Sequence, residues 1–392
     1  MRILFLAPQP FYRLRGMCIA QKSYLEALSR MGARVDVLTY PFGEDVKIPG
    51  VRVLRLPRLP GMHDIPIGPS WQKAAMAPLM LLAALVLLVR RRYDMVHACE
   101  ESALLLAPLK ALKGFRLVYD MDDVLSSRLS RSGFFKSRAA LKAVEALERR
   151  ALRAADLVLT NSRDTTEYAL RFARPGRVHF YDHAPPLFDG PRWTSSQRRD
   201  FREEHGLTGR QVILYAGNLE EYQGIPLLLE SLPSVFSRLP DSACVIIGGE
   251  PAQVEKLRLT ARRLGLGGRV TVLGQRPLAE TFRFMRAADV LVSPMTQEKA
   301  VPMKLYAYLA AGVPIVATNL LNHTQLLDGI SALLPSPDPN SFAAAICAEL
   351  ERVNSGRHVE PVADAIPRRW DGDVITPAIE EACLSAGLPV SA

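Results

Sequence analysis

A chain of 392 residues, 48% hydrophobic and 23% charged, is long enough for two hydrophobic cores and too apolar to be largely disordered. The formal net charge of +9 suits a phosphate-bearing substrate, an anionic membrane surface or nucleic acid, but no RNA- or DNA-binding motif supports nucleic acid as a partner. The five cysteines are scattered without a CxxC pair, which predicts neither a zinc site nor a disulfide framework and fits a cytoplasmic location.

The first half of the chain alternates predicted strands and helices. The opening segment MRILFLAP predicts a strand over 2–7 and not a signal peptide, because its apolar run is very short and it has one basic residue. Further strands are predicted at 34–39, 51–56, 93–98, 116–120 and 156–160, with helices at 19–31 and 141–154. Strands separated by helices predict a parallel sheet covered on both faces, a Rossmann-like domain over 1–185.

One segment of this half invites a membrane interpretation. Residues 74–89 are apolar over 16 positions, with Lys73 before them and three arginines at 90–92 after them. A spanning helix needs about 20 such residues, and Pro78 interrupts this run early. Three interpretations stay open: a buried or groove-lining helix, a helix lying at a membrane surface with its arginines against anionic headgroups, or a true span.

The second half repeats the α/β pattern after a break. Residues 184–196 are rich in Pro, Gly and Ser and predict a linker. Strands are then predicted at 211–216, 243–248, 270–273, 290–293 and 314–318, with helices at 225–239 and 254–264. We expect a second Rossmann-like domain over 186–365 and a helical tail over 366–392 that packs back towards the first domain. Ligands of such sheets bind beyond the carboxyl ends of the strands, so the cleft between the domains is the expected site.

Glycine loops follow the first strand of each half. Neither loop contains GxGxxG, which argues against a dinucleotide dehydrogenase. In the first half Arg15 and Gly16 open a helix, and a glycine there lets backbone N–H groups approach an anion at the helix N-terminus. A turn glycine that serves packing alone is the alternative. The second half carries YAGNLEEYQGIPLLLESL at 215–232 and VPMKLYAYLAAGVPIVATN at 301–319.

These two stretches, together with YDMVHA, AADLVLTNS and NHTQ, resemble the family-4 retaining glycosyltransferases in order and spacing. The resemblance covers nearly the whole chain. It implies the α/β architecture called GT-B, two Rossmann-like domains facing each other across a cleft. It also implies transfer of a sugar from a UDP- or GDP-linked donor to a hydroxyl of a glycan or lipid-linked acceptor, with no metal and no other cofactor.

The chain departs from the family pattern at the donor site. The Arg and Lys of the family's GRLxxxKG loop fall on Asn218 and Gln223, which can donate only neutral hydrogen bonds of about 1 kcal/mol each. The glutamates of the Glu-x7-Glu segment fall on Lys299, with Glu298 beside it, and on Ala307. One cation about 4 Å from a phosphate is worth roughly 4 kcal/mol at an effective dielectric of about 20 before solvation losses, so an active enzyme needs substitutes.

Substitute cations are predicted near the helix that follows residue 300. Pro302 suits the first turn of that helix, which leaves the N–H groups of Met303 and Lys304 for an anion, and the Lys304 side chain adds a full charge. Arg15, reaching from the first domain, is another candidate. The alternatives are a solvated lysine and amides that only shape a turn. The remaining donor-side candidates are Gly217, Glu298, Thr318 and His323, the last of which has a structural turn as its alternative.

Two polar clusters in the first half are candidates for the acceptor chemistry. His97 and Glu100 flank Cys99 after the fourth strand, and Asp122 lies in the segment YDMDDV after the next one. The catalytic-region His or Asp of the family falls near Cys99, which makes Glu100 the nearest candidate. A carboxylate here can orient or deprotonate an acceptor hydroxyl. The alternatives are a hydrogen-bonded strand-end histidine and aspartates that cap a helix.

The sequence is compatible with three functions. The first is a retaining transferase, peripheral at the cytoplasmic face of a membrane. The second is a non-catalytic GT-B protein or subunit that has lost the donor-site Arg, Lys and Glu. The third is a GT-B nucleotide-sugar epimerase, which product analysis without an acceptor would expose.

Overall fold

The computed structural model describes residues 1–13, 16–66, 68–134, 137–181, 193–297, 301–327, 332–355, 375–385 and 387. The chain divides into two compact units. Unit 1 comprises Met1–Pro185 together with Asp373–Ala392, and unit 2 comprises Pro186–Gly372.

Unit 1 is built on a seven-stranded parallel sheet. Its strands are β1 (Arg2–Pro10), β2 (Arg34–Tyr40), β3 (Val51–Arg55), β4 (Met95–Cys99), β5 (Arg116–Met121), β6 (Leu157–Thr160) and β7 (Val178–Phe180). They lie in the order β3-β2-β1-β4-β5-β6-β7. The central strands are continuous apolar runs because helices cover both faces. The strand order reverses between β1 and β4, which makes their carboxyl ends a topological switch point.

The helices of unit 1 pack on the two faces of this sheet. They are α1 (Gly16–Arg30), α2 (Trp71–Arg90), α3 (Glu101–Lys113), α4 (Leu125–Arg131), α5 (Arg138–Ala154) and α6 (Arg163–Leu170). Helices α2, α3 and α5 close one core against β1, β4 and β5, and α1 closes the other. Both α2 and α3 lead from the carboxyl edge of the sheet back to its amino edge, as parallel strands require.

Unit 2 repeats this plan with six parallel strands in the order β10-β9-β8-β11-β12-β13. The strands are β8 (Gln211–Ala216), β9 (Ser242–Ile247), β10 (Val270–Gly274), β11 (Val290–Ser293), β12 (Ile315–Ala317) and β13 (Ala332–Leu333). The helices are α7 (Ser195–Glu204), α8 (Ile225–Arg238), α9 (Pro251–Arg263), α10 (Leu278–Ala287), α11 (Lys304–Ala311), α12 (Leu321–Leu327) and α13 (Pro339–Asn354). The switch point of this sheet lies between β8 and β11.

The last helix, α14 (Ile375–Ser385), belongs to unit 1. Its residues Ile379 and Cys383 join the core beneath α1, and the Ser385 hydroxyl lies 3.0 Å from His179 Nε2. The chain therefore returns to its first unit after completing the second.

The predicted fold class is confirmed, since both halves form Rossmann-like parallel sheets. Strand β7, with three residues, is too short to give a pattern and was not predicted. The predicted linker lies mostly outside the described residues, but its end at 195–196 is already the first turn of α7. There the Thr194 side chain caps the helix by accepting a hydrogen bond from the Gln197 N–H at 3.3 Å.

The apolar segment 74–89 forms most of α2. Of the interpretation as a buried or groove-lining helix, the structure bears out burial for one row of residues and not for the outer face. Within α2 the buried residues are the row Met76, Met80, Ala84 and Leu88, which packs into the core. By length and composition α2 is the one helix in the described part of the chain that is apolar enough to cross a membrane.

Candidate active site

The predicted site residues gather at the switch points of the two sheets. In unit 1, Gly16 begins α1 after β1, Glu100 follows β4, and Asp122 follows β5. In unit 2, the loop 217–224 follows β8, and Lys304 opens the helix that follows β11. Open parallel sheets bind their ligands at these points, so the topology supports both groups as ligand-binding edges.

His97 lies inside unit 1 beneath this edge. It is fully buried, and its ring stacks on Phe5 with 4.4 Å between centroids. Its Nε2 lies 3.3 Å from Asp120 Oδ2, and the Cys99 thiol donates to the same oxygen at 3.5 Å. The geometry corrects the prediction of a catalytic histidine, because a ring enclosed in this way does not reach an acceptor.

His97, Cys99 and Asp120 are also the one set of side chains, among the described residues, that is close enough together to bind a metal ion. The ligand atoms of His97, Cys99 and Asp120 lie within 4.8 Å of one another. Nitrogen, sulfur and carboxylate oxygen are donors that zinc accepts. Here the carboxylate is already hydrogen-bonded to both neighbours, and burial raises the pKa of the Cys99 thiol, which disfavours the thiolate that zinc needs. These contacts do not favour a bound metal, and metal independence of the reaction stays a prediction.

Glu100 is held by cations. Arg128 donates to both carboxylate oxygens of Glu100, at 2.9 and 3.2 Å, and to Glu101 at 3.4 Å. Lys73 Nζ lies 3.8 Å from Glu100. Burial opposes ionisation of Glu100, but the charges of Arg128 and Lys73 outweigh it and hold the pKa of Glu100 well below its usual range. Glu100 is therefore an ionised, paired carboxylate, which makes it a weak proton acceptor, and its part in orienting the acceptor stays a prediction.

The backbone of Glu100 is strained. Its φ is 48° and its ψ is −130°, a conformation that side chains other than glycine rarely adopt. Such a conformation persists where surrounding contacts hold it, and the Arg128 pairing provides those contacts. The turn between β4 and α3 is thus fixed by one arginine from α4.

Asp122 has the properties of a general base or acid. Its Oδ1 accepts a hydrogen bond from the side-chain amide of Asn161. Burial, together with the charges of Glu100 and Asp120, raises the pKa of Asp122 well above the usual value for an aspartate. A carboxylate with a raised pKa is a stronger proton acceptor than an ordinary aspartate. Asp122 therefore remains the leading catalytic candidate of unit 1.

The glycine loop of unit 2 is shaped by close backbone contacts. A Cβ on Gly217 would lie 2.9 Å from the Tyr215 hydroxyl, and one on Gly248 would lie 1.8 Å from the Gly217 carbonyl oxygen. Asn218 is exposed at the tip of the loop, where its Oδ1 accepts from the Glu220 N–H at 3.2 Å. The Asn218 side chain therefore stabilises the turn, which agrees with the alternative that this amide only shapes the loop.

Lys304 is a partly buried cation at the start of α11. Its Nζ donates to Gln223 Oε1 at 2.6 Å and lies 4.4 Å from the centre of the Tyr215 ring. Burial lowers the pKa of Lys304 to about 7. Among the described residues no carboxylate lies within salt-bridge distance of this Nζ. The helix N-terminus adds a positive dipole at the same place, so the two together favour an anionic group beside Lys304.

The helix after residue 300 begins later than predicted. Met303 is its N-cap, and the carbonyl of Pro302 accepts from the Leu305 N–H at 2.9 Å. Pro302 thus precedes the helix instead of opening it, which corrects that prediction. The consequence is that Lys304 itself is the first helical residue.

Thr318 and His323 are core residues. Both are fully buried, and the Thr318 hydroxyl donates to the Met295 carbonyl at 2.7 Å. His323 Nδ1 lies 2.7 Å from the Thr318 carbonyl, and its Nε2 lies 2.9 Å from the Ser293 hydroxyl. Burial lowers the pKa of His323 to about 4, so the ring is neutral, with Nδ1 as donor and Nε2 as acceptor. Both nitrogens are occupied, which corrects the prediction that these residues contact the donor.

Two predicted donor-side residues, Arg15 and Glu298, lie outside the described residues, and so does Lys299. Their roles stay predictions. The structure supplies three participants that the sequence pattern did not single out: Arg128, Tyr215 and Asn161. Only Tyr215 carried a signal, as the aromatic residue just before the glycine loop.

Comparison with known proteins decides the family. Residues 16–181 match the family described as "Glycosyl transferase 4-like domain", and residues 210–352 match "Glycosyl transferases group 1". The chain belongs to the family-4 glycosyltransferases of GT-B fold.

This glycosyltransferase is similar along most of its length to a D-inositol 3-phosphate glycosyltransferase of Corynebacterium jeikeium (strain K411). The two are 26% identical over 362 residues, which are 84% of this chain and 82% of the relative. A phosphatidyl-myo-inositol mannosyltransferase of Mycobacterium tuberculosis (strain ATCC 25618 / H37Rv) is 31% identical over 202 residues. That match spans 50% of this chain and 51% of the relative, about half of each.

Solved structures with the same fold include Anabaena HepE in complex with UDP and glucose. The TM-score is 0.74 at 21% identity, covering 98% of the glycosyltransferase and 100% of HepE. WaaG, a glycosyltransferase involved in lipopolysaccharide biosynthesis, gives a TM-score of 0.73 at 16% identity, with 98% and 100% covered. At these identities the likeness establishes the fold alone.

Proposed function

We propose that this glycosyltransferase transfers a sugar, with retention of configuration and without a metal ion, from a nucleotide-diphosphate sugar to a hydroxyl group of a lipid-linked or glycan acceptor. The observation that carries the proposal is the partly buried Lys304 cation at the N-terminus of α11, for which the described part of the chain provides no carboxylate partner. It supplies the positive charge that the family places on the Arg and Lys which this chain lacks.

The donor is a UDP- or GDP-linked sugar. HepE is described in complex with UDP and glucose, and a mannosyltransferase of Mycolicibacterium smegmatis, 30% identical over 171 residues, is described as GDP-mannose-dependent. The acceptor class follows from the relatives' names, which specify inositol phosphate and phosphatidylinositol. A hydroxyl carried by a polyol or by a lipid headgroup is accordingly proposed, with the reaction at the cytoplasmic face of a membrane.

In the proposed reaction the bond between the anomeric carbon and the diphosphate oxygen breaks, and a bond to the acceptor oxygen forms on the same face. The diphosphate leaves with the electron pair of the broken bond, and the acceptor proton passes to Asp122 and from there to water. Lys304 neutralises the charge that develops on that leaving group, which is an electrostatic contribution that counts most in a partly buried site. Asp122 orients the acceptor hydroxyl and can exchange its proton.

Replacing Lys304 tests the donor side directly. We expect Lys304→Met to weaken binding of the nucleotide sugar by roughly 2 kcal/mol or more, about 30-fold in Kd, because a hydrogen bond to a charged phosphate is lost. Isothermal titration with a panel of UDP- and GDP-sugars measures it. Lys256→Met, an exposed lysine of α9 in the same unit, is the matched control and should leave Kd unchanged. Equal Kd values for the two variants would remove Lys304 from the site.

The lowered pKa of Lys304 makes binding and stability depend on pH in opposite ways. Only the protonated lysine attracts the diphosphate, so Kd should rise about tenfold per unit above pH 7 and stay level below it. Between pH 7 and the ordinary lysine pKa, Lys304 is neutral in the folded protein but protonated in the unfolded chain. Because the unfolded chain binds more protons in this range, the free energy of unfolding of the ligand-free protein should increase as pH rises. Nucleotide sugars suit the titration because their phosphates do not titrate here. Lys304→Met should remove both the rise of Kd above pH 7 and the contribution of Lys304 to the pH dependence of stability. It should also raise Tm at pH 7.

The second candidate is a non-catalytic GT-B protein. Neutral Asn218 and Gln223 stand where the family has Arg and Lys, and Gln223 is buried beneath Lys304. This candidate predicts no turnover with any acceptor. Absence of binding to every nucleotide sugar at millimolar concentration would favour it over catalysis.

A further inference from the structure

The outer face of α2 is apolar along its whole length. Trp71 is 61% exposed, Leu82 60%, Val86 39% and Val89 68%, whereas the opposite row packs into the core. Ala74 and Pro78 continue this exposed stripe towards the start of the helix. Of the 20 residues of α2 only Gln72, Lys73 and Arg90 are polar. A surface helix that faces water normally carries charged residues on its outer side, so this stripe faces a different medium.

Other surface helices of the same chain obey the usual pattern. The outer side of α9, for example, carries Glu255, Lys256 and Arg258. The apolar face of α2 is therefore a local feature and does not reflect the composition of the protein as a whole. At about 1.5 Å per residue it is roughly 30 Å long.

Positive charge collects where α2 ends. Arg90 and Arg92 are exposed at this end, and the neighbouring helix α3 ends at the same edge of the sheet with exposed Leu112 and Lys113. At that edge Arg52 and Arg91 share the one carboxylate of Asp36, at 2.9 and 3.1 Å. Arg2 is the third cation on Asp36, at 3.7 Å. Asp94 is a second acid here, and its carboxylate accepts a hydrogen bond from the Arg2 N–H at 2.6 Å. These two acids are outnumbered by the arginines and Lys113, which leaves a net positive edge beside the apolar stripe.

We propose that the outer stripe of α2, defined as Trp71, Ala74, Pro78, Leu82, Val86 and Val89, lies in the interface of an anionic bilayer, with the basic edge against lipid phosphates. The helix lies flat on the membrane and does not cross it, because Met76, Met80, Ala84 and Leu88 stay packed on the sheet. The net charge of +9 makes two copies of this chain repel each other, which favours an anionic bilayer over a second copy as the occupant. Apolar insertion and headgroup attraction together give stable interfacial binding.

The start of α2 connects this surface with the candidate active site. Lys73, in the first turn, pairs with Glu100 at the carboxyl edge of the sheet. A lipid headgroup at that end of the stripe therefore lies next to the acceptor-side residues. The placement of a lipid acceptor beside these residues rests on the proposed function, whereas the docking of α2 on a membrane does not.

Vesicle sedimentation without any nucleotide sugar tests the docking. The full chain is mixed with phosphatidylcholine vesicles, with or without roughly 30 mol% phosphatidylglycerol. We expect tight binding to the anionic vesicles and weak binding to the neutral ones. Leu82→Glu/Val86→Glu and Arg90→Glu/Arg92→Glu should each weaken binding tenfold or more. High salt should weaken the wild type only partly, because the apolar contribution remains.

The matched control is Leu259→Glu/Leu264→Glu, which adds the same charge at two leucines of unit 2 that are 44% and 41% exposed. It should bind vesicles as the wild type does, and circular dichroism checks the fold of every variant. In a Trp193→Phe/Trp370→Phe background, the emission of Trp71 should shift to the blue on binding.

Wild type that stays in the supernatant, or stripe variants that sediment like the control, would overturn the proposal. So would a concentration-dependent dimer, seen by analytical ultracentrifugation, that only the stripe variant abolishes. Vesicle binding without nucleotide-sugar binding would support the membrane docking and contradict the proposed function. Nucleotide-sugar binding without vesicle binding would support the proposed function and contradict the docking.

Discussion

Arg128→Met is expected to lower the free energy of unfolding by about 3–5 kcal/mol. The substitution leaves the Glu100 and Glu101 carboxylates, 13% and 19% exposed, without the guanidinium that neutralises them. Lys73, 3.8 Å from Glu100, is then the one cation near two carboxylates, and the desolvation of the second charge is no longer offset. The strained turn at Glu100 loses its restraint at the same time. Urea denaturation at neutral pH measures the loss.

Arg131→Met is the matched control for this prediction. Arg131 lies on the same helix and pairs with Asp123, but it is 58% exposed, so the change should cost less than about 1 kcal/mol. Adding Glu100→Gln and Glu101→Gln to Arg128→Met should recover much of the stability by removing the orphaned charges. A loss for Arg128→Met no larger than for Arg131→Met would refute a buried ion-pair cluster at this edge.

Asp122→Asn is expected to lower kcat by about 100-fold or more, the usual contribution of a positioned acid–base group. The amide keeps the size of the side chain but cannot exchange a proton. The donor Kd should stay unchanged, because Lys304 and the glycine loop, which hold the diphosphate in the proposed reaction, belong to unit 2. The raised pKa of Asp122 predicts that wild-type activity falls as pH drops through that pKa, since the base becomes protonated. Steady-state kinetics over a pH series measures both effects.

Asp123→Asn provides the comparison for Asp122. It makes the same chemical change one residue away, at a carboxylate that pairs with Arg131 near the surface. Its kcat and pH profile should match those of the wild type. If Asp122→Asn kept wild-type kcat and the acidic fall in activity, Asp122 would have no part in proton transfer.

The strands and helices were largely predictable because their signals are local. Buried parallel strands are apolar runs, and the bounds of β1, β4 and β8 agree with the predicted ones within three residues. The positions of the glycine loop and of Lys304 follow directly from these strands. The start of α11 was predicted two residues too early, because a proline suits the residue before a helix as well as its first turn.

The chemical character of the site residues was less predictable. Glu100 and Arg128 are 28 residues apart, and no periodicity links them. His97, Thr318 and His323 have the residue types of a site but lie in the core. A side chain near a strand end, as in His97 and Thr318, or in the helix that follows, as in His323, can point inwards or towards the rim. Which of the two occurs depends on the neighbouring strand and helix.

The sequence by itself determined two Rossmann-like domains, the strand ends where ligands bind, and the family, since these depend on residue order and local periodicity. Only the tertiary structure decided that Glu100 is a paired anion, that Lys304 is a partly buried cation with its pKa near neutrality, and that α2 turns an apolar face outwards. The physical reason is that ionisation and exposure depend on the elements packed around a side chain, and long-range contacts set that packing.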